Sequence, residues 1–145
     1  MNTKKMISAL LVGLLVLSML AACGGEPEGS GKPYIPVISK GFQHQFWQAV
    51  KAGSDQAAVD FDVEITFEGP ETEAMVDKQV EMFQTALDKN PAAICLAAVD
   101  SKAFEPLLQE AQEKGIPVIG FDSGVDSDIP VSTAATDNVA AAALA

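Results

Sequence analysis

The sequence has no arginine, and histidine, tryptophan and tyrosine occur once each. Its 9 basic residues are therefore all lysine, set against 20 Asp and Glu, for a formal net charge of −11. Nucleic-acid binding rests on neutralising phosphates with Lys and Arg, so no nucleic-acid partner is expected. The same acidity opposes attraction to anionic lipid headgroups, and its ordinary meaning is a solvated surface that keeps the protein soluble. One histidine, His44, removes most zinc constellations. The two cysteines, Cys23 and Cys95, give neither a disulfide framework nor a Cys-based metal site. No metal or cofactor is expected. Also absent are a G-x-S-x-G elbow, a G-x-x-x-x-G-K-[ST] phosphate cradle and a G-x-G-x-x-G fingerprint.

No apolar run is long enough to span a bilayer. The longest, Ile7 to Leu20, reaches about 21 Å at 1.5 Å per residue, short of the hydrocarbon core of about 30 Å. With Lys4 and Lys5 before it, this run reads as a secretory signal. It ends in Leu20-Ala21-Ala22-Cys23 followed by two glycines, which resembles the bacterial lipobox. That resemblance implies cleavage before Cys23 and a diacylglyceryl group on its sulfur. Two acyl chains suffice for stable anchoring. Residues 1–22 are thus expected to be a lipoprotein signal peptide and 23–33 a lipid anchor and flexible tether, since Gly24 to Lys32 hold nothing apolar to bury. The folded part would work outside the cytoplasmic membrane, tethered to its surface.

From Tyr34 onward, strand and helix patterns alternate. Strands are expected at Tyr34–Ser39, Val63–Phe67, Ala92–Ala98, Ile116–Phe121 and Val131–Ala134. Between them the apolar spacing predicts helices from about His44 to Phe61, Thr72 or Glu73 to Lys89, and Lys102 to Lys114. Asp100 or Ser101 is placed to cap the third helix, Gly115 to end it, and Asp137 to cap a last helix from Asn138. Pro36 is awkward in a sheet centre. Cys95, inside an apolar run suited to a strand buried on both faces, is expected to be a buried free thiol. Strand starts near 34, 63, 92 and 116 match the βαβ period. The fold class that follows is α/β, a doubly wound parallel sheet. The alanine-rich ending, Asn138 to Ala145, is short for a free-standing helix and is expected to mark a fragment boundary.

In such a sheet ligands collect beyond the carboxyl ends of the strands. The turn after the first strand, Ser39-Lys40-Gly41-Phe42-Gln43-His44-Gln45-Phe46-Trp47, carries a cation, an imidazole and two adjacent rings to that edge. Phe46 and Trp47 are either ligand-facing rings or ordinary core, because Phe46, Val50, Ala57 and Phe61 also describe one helical stripe. Lys40 is either a donor or a solvated charge. Asp100, Asp122 and Asp137 end up at the same edge, which leaves a carboxylate-based hydrolase conceivable.

Four segments in order carry a resemblance. Behind the lipobox stand Lys40-Gly41-Phe42 with Phe46-Trp47-Gln48-Ala49-Val50-Lys51-Ala52-Gly53, then Gly115-Ile116-Pro117-Val118-Ile119-Gly120-Phe121-Asp122-Ser123, then Ala135-Thr136-Asp137-Asn138-Val139. Together they resemble the type I periplasmic-binding-protein family, and within it the ribose-type sugar-binding proteins of ABC importers. The resemblance implies two lobes with a monosaccharide between them, residues 34–134 forming the first lobe. Residues 135–145 would be the hinge and the start of a truncated second lobe, with the hinge crossing near Thr133 to Thr136. It implies further that Phe46 and Trp47 stack on the sugar and that Lys40 and His44 contact it. Asp122 would accept its hydroxyls, and Thr136 would lie by the hinge. The family usually has asparagine where His44 stands, and an arginine commonly follows its acid where this chain has Ser123. These departures widen the expected ligand from ribose to a monosaccharide class. The implied protein is a monomer and not an enzyme, and its second partner is an ABC permease. A sensory lipoprotein built on the same lobes is the alternative.

Overall fold

The computed structural model of the chain describes residues 31–144. The expected signal peptide, Cys23 and most of the tether lie outside the described residues. Five strands, β1 (Tyr34–Ile38), β2 (Glu64–Glu68), β3 (Ile94–Leu96), β4 (Val118–Phe121) and β5 (Ser132–Ala134), form one sheet in the order β2-β1-β3-β4-β5. Every pairing is parallel. Four helices follow β1, β2, β3 and β5 in turn: α1 (Gln45–Asp60), α2 (Val76–Asp88), α3 (Glu105–Glu113) and α4 (Asn138–Ala143). The α/β doubly wound parallel sheet expected from the alternation is the observed fold.

Strand order and crossover handedness together place the helices. The chain moves from β1 outward to β2 through α1, then back across β1 to β3 through α2, so right-handed crossovers put α1 on one face and α2 and α3 on the other. Period-two alternation then assigns the side chains. Ile38, Ile94, Leu96 and Val118 meet Phe83, Leu87, Phe104 and Leu108 from α2 and α3, all of them buried. Phe83 and Phe104 pack edge to face at 5.7 Å. The register pairs Val37 with Cys95 and Cys95 with Ile119 on the opposite face, the face of α1. That face is half-open. Ile35, Ile65, Cys95 and Ile119 are partly exposed, and Val59 and Phe61 at the end of α1 are 77% and 75% exposed.

Two expectations change here. Cys95 is half-buried and not sealed on both sides, because the described helices cover its face incompletely; the burial it has still pushes its thiol pKa up. Pro36 does sit in a central strand, but the recorded β1–β3 ladder begins only at Val37, one residue beyond it.

Helix starts are later than the periodicity suggests. α2 opens at Val76 after a turn closed by Met75 N–H on Thr72 O. α3 opens at Glu105 with Pro106 in its first turn. Asp100 does cap, but it caps the preceding turn, its Oδ1 accepting Lys102 and Ala103 N–H at 2.8 and 2.9 Å. Asp137 Oδ1 accepts Ala140 N–H at the start of α4, and Gly115 ends the third helix at φ 68°, both as expected.

Candidate functional site

The carboxyl edge of the sheet is assembled from the ends of β1, β4 and β5 and the start of α1. Ser39, at the end of β1, is fully buried. Its N–H donates to Glu68 O at 2.8 Å, and its hydroxyl donates to Gly41 O and Glu68 O. These bonds fold the Lys40-Gly41 turn against the end of β2. Gly69 is required there, since a Cβ would come within 2.9 Å of Ser39 O and 3.0 Å of Gly41 O. The indole of Trp47 lies under Gly41, whose hypothetical Cβ would stand 3.3 Å from Nε1.

His44 is the N-cap of α1. Its extended backbone lets Nδ1 accept the Phe46 N–H at 3.2 Å. The next two aromatics then part company. Adjacent helical residues point about 100° apart, so Trp47 turns into the protein and Phe46 turns out. Trp47 is 2% exposed and Phe46 46%. Trp47 packs edge-on to Phe46 at 4.8 Å and to Phe121 at 6.3 Å, and donates from Nε1 to Glu73 at 3.4 Å. Of the two rings expected to face a ligand, Trp47 is buried and only Phe46 is exposed.

Asp122 follows β4 in a tight reversal. Ser123 N–H returns to Phe121 O at 2.6 Å, and Asp122 sits at φ 59°, a left-handed conformation costly to most side chains and better tolerated by Asp and Asn. Its N–H donates to Ala134 O of β5 at 2.9 Å. Its Oδ2 meets Lys40 Nζ at 2.8 Å, with the two side chains 28% and 20% exposed. That ammonium also stands 5.8 Å from the centroid of the Trp47 ring, within cation–π range. Lys40 thus bridges the turn after β1 and the turn after β4.

A cleft of about 430 Å³ opens at this edge, lined by Phe46, Val50, Phe121, Asp122, Ala134, Ala135, Thr136 and Asn138. Of the six ligand residues expected from sequence, Phe46, Asp122 and Thr136 line it and Lys40 joins through Asp122. His44 and Trp47 line a separate concavity on the other flank of α1, with Phe42 and Glu71 to Glu73. Phe121 and Asn138 are cleft residues that lay within the resembling segments but were given no role. Phe121 shows itself only as the aromatic preceding Asp122, and Asn138 as the second residue after Thr136. Of the three edge carboxylates considered for hydrolysis, Asp100 and Asp137 are engaged as caps.

A profile of the periplasmic binding protein domain matches residues 35–145. Among curated proteins, the fructose import binding protein FruE of Bifidobacterium longum is 29% identical over 129 residues, covering 86% of this chain and 39% of its own length. Among solved structures, an ABC transporter, LacI family transcriptional regulator from Brachyspira murdochii is 44% identical with a TM-score of 0.74, covering 80% of this chain and 37% of that one. A carbohydrate transporter solute binding protein from Agrobacterium radiobacter, in complex with D-arabinose, is 33% identical with a TM-score of 0.72, covering 77% and 38%. The chain spans about two fifths of the length of the curated relatives it matches.

Proposed function

The chain belongs to the periplasmic binding protein family, in its type I, ribose-type branch, and from that premise we propose that it supplies the first lobe of an extracytoplasmic solute-binding lipoprotein. In this reading the lobe holds one side of a monosaccharide, a second lobe closes on the other side by hinge motion, and the closed form docks on an ABC permease. The observation that carries it is the meeting of Phe46, Asp122 and Thr136 in one cleft, with Lys40 2.8 Å from the carboxylate.

Each group suits a sugar. A half-exposed phenyl ring offers an apolar face to the C–H side of a pyranose or furanose. A carboxylate only accepts, and its two oxygens have capacity for hydroxyl donors beyond the one lysine contact. Lys40 donates only, and matches a ring or hydroxyl oxygen. The cleft volume falls at the lower end of small-ligand sites, about 300–1,000 Å³. In the same reading, 34–134 is the lobe, 135–145 opens the hinge and the second lobe, and the half-open α1 face is covered by a returning segment of the longer protein. Closure is driven by the sugar's greater affinity for the closed cleft, so both lobes must touch it. Binding and release without bond-making make the protein a receptor and not an enzyme.

A thermal-shift screen of the full-length protein against D-arabinose, D-fructose, D-ribose and D-glucose tests this. A ligand at about 100 times its Kd stabilises by about 2.7 kcal/mol, which is an unmistakable rise in Tm. No rise with any monosaccharide, alongside a rise with an amino acid or a peptide, would overturn the reading.

A further inference from the structure

The buried polar residues among those described are Ser39 and Gln79. Gln79 lies in α2 between Val76 and Phe83, in line with an otherwise apolar stripe, where a leucine or methionine would fill the same space. It has no exposed surface, yet every polar atom of its amide is engaged at the sheet edge. Nε2 donates to Ser39 O and Ala97 O, each at 2.8 Å, and Oε1 accepts Val99 N–H at 2.8 Å. Ser39 follows β1 and Ala97 follows β3. These two strands are neighbours whose onward connections leave in opposite directions, so one amide closes the gap where strand pairing stops. A second tie extends it to β4. Ser123 Oγ donates to Ala98 O at 2.9 Å, one residue beyond the carbonyl that Gln79 holds.

Lys40 directly follows Ser39, and Asp122 directly precedes Ser123. The two charged residues of the cleft are therefore each one bond along the chain from a pinned residue. We infer that Gln79 and Ser123 are positioning residues. Acting as one clip across the ends of β1, β3 and β4, they set the Lys40 ammonium against the Asp122 carboxylate and thereby preorganise the ligand-facing charges. This deepens the sugar-site reading and rests on it for its purpose, but the clip itself has a signature that needs no sugar. Ser123 stands where the family commonly has an arginine, and in this chain its hydroxyl is spent on the strand ends and not on the cleft.

The test is the energetic coupling between Lys40→Met and Asp122→Asn, read from chemical unfolding of the full chain in three backgrounds: unmodified, Ser123→Ala and Gln79→Met. An ion pair this exposed is expected to give about a two- to fivefold coupling in the unfolding equilibrium constant. If the clip positions the pair, that factor collapses to one in both altered backgrounds. A purely structural role for Gln79 or Ser123 lowers overall stability and leaves the coupling intact, and that result overturns the inference. Should Gln79→Met fail to fold, Ser123→Ala decides alone, since it deletes one part-buried hydroxyl. D-arabinose and D-fructose titrations on the same variants keep the two readings apart. A collapsed coupling with no binding of either sugar by the unmodified protein upholds the clip and counts against the sugar.

Discussion

At the residue scale the adjacent rings at 46 and 47 do opposite jobs. Trp47 is buried under Gly41 and against Phe121, whereas Phe46 lines the cleft and is 46% exposed. Trp47→Ala is expected to cost about 3–5 kcal/mol in urea unfolding, the range for emptying a buried large aromatic site. Phe46→Ala should cost no more than about 1 kcal/mol. Equal losses at the two positions would contradict the division of labour. The local pattern points the other way, because the stripe of Phe46, Val50, Ala57 and Phe61 puts Phe46 on the apolar face, yet Trp47 is the ring that is buried. What separates them is the docking of the turn at Gly41 and the strand at Phe121 onto one ring, and those contacts lie far apart in the chain. Asp122, by contrast, was legible. A lone carboxylate straight after a buried strand, ahead of an Asp-, Ser- and Gly-rich loop, had few places to be other than the sheet edge.

At the element scale, the alternation of period-two and period-3.6 patterns located the five strands and four helices found among the described residues. The edges that moved did so by at most four residues, for physical reasons. The segment before α2 spends its first bonds on a turn, and Asp100 holds a turn ahead of α3 instead of the helix itself. The strand at Cys95 was read as sealed on both faces because its composition is uniformly apolar; composition cannot tell how much of a face the neighbouring helices reach. Two outcomes belong at this scale. His44 caps α1 through its side chain, so His44→Ala should lower stability by about 1 kcal/mol, while His44→Asn should restore it; thermal unfolding of the two variants decides. Cys95 holds its proton more tightly in the native than in the unfolded chain. Its stabilising contribution is accordingly intact at neutral pH and declines as pH rises through and above the usual thiol range. Alkylation of native Cys95 should lag behind that of an unfolded control until well into that alkaline window, and a native rate matching the control near neutrality would contradict the assignment.

At the scale of the whole molecule, the parallel sheet divides labour between its faces and its edge. One face, with α2 and α3, carries the core that makes the lobe stable. The edge carries Lys40, Asp122 and the exposed ring of Phe46. The buried polar clip of Gln79 ties the first to the second, and it escaped the sequence reading even though a glutamine in an apolar helical stripe is a visible anomaly. The net charge of −11 leaves membrane attachment to the lipid proposed at Cys23. Cys23→Ser should move the protein from the membrane fraction to the soluble extracytoplasmic fraction without changing its sugar affinity. Retention in the membrane would remove the anchor from the account.

The central claim is that the Phe46–Asp122 cleft is one wall of a monosaccharide site. Calorimetry of the full-length protein, with whichever sugar gives the largest thermal shift, tests it most directly when Asp122→Asn and Phe46→Ala are measured beside the unmodified protein. Asparagine tolerates the backbone conformation at 122, so the loss should fall on binding and not on folding. Two charge-assisted hydrogen bonds forgone predict a weakening of about 100-fold or more for Asp122→Asn, with a smaller but clear loss for Phe46→Ala. Sugar affinity unchanged in both variants, with the fold intact, would show that the ligand sits elsewhere.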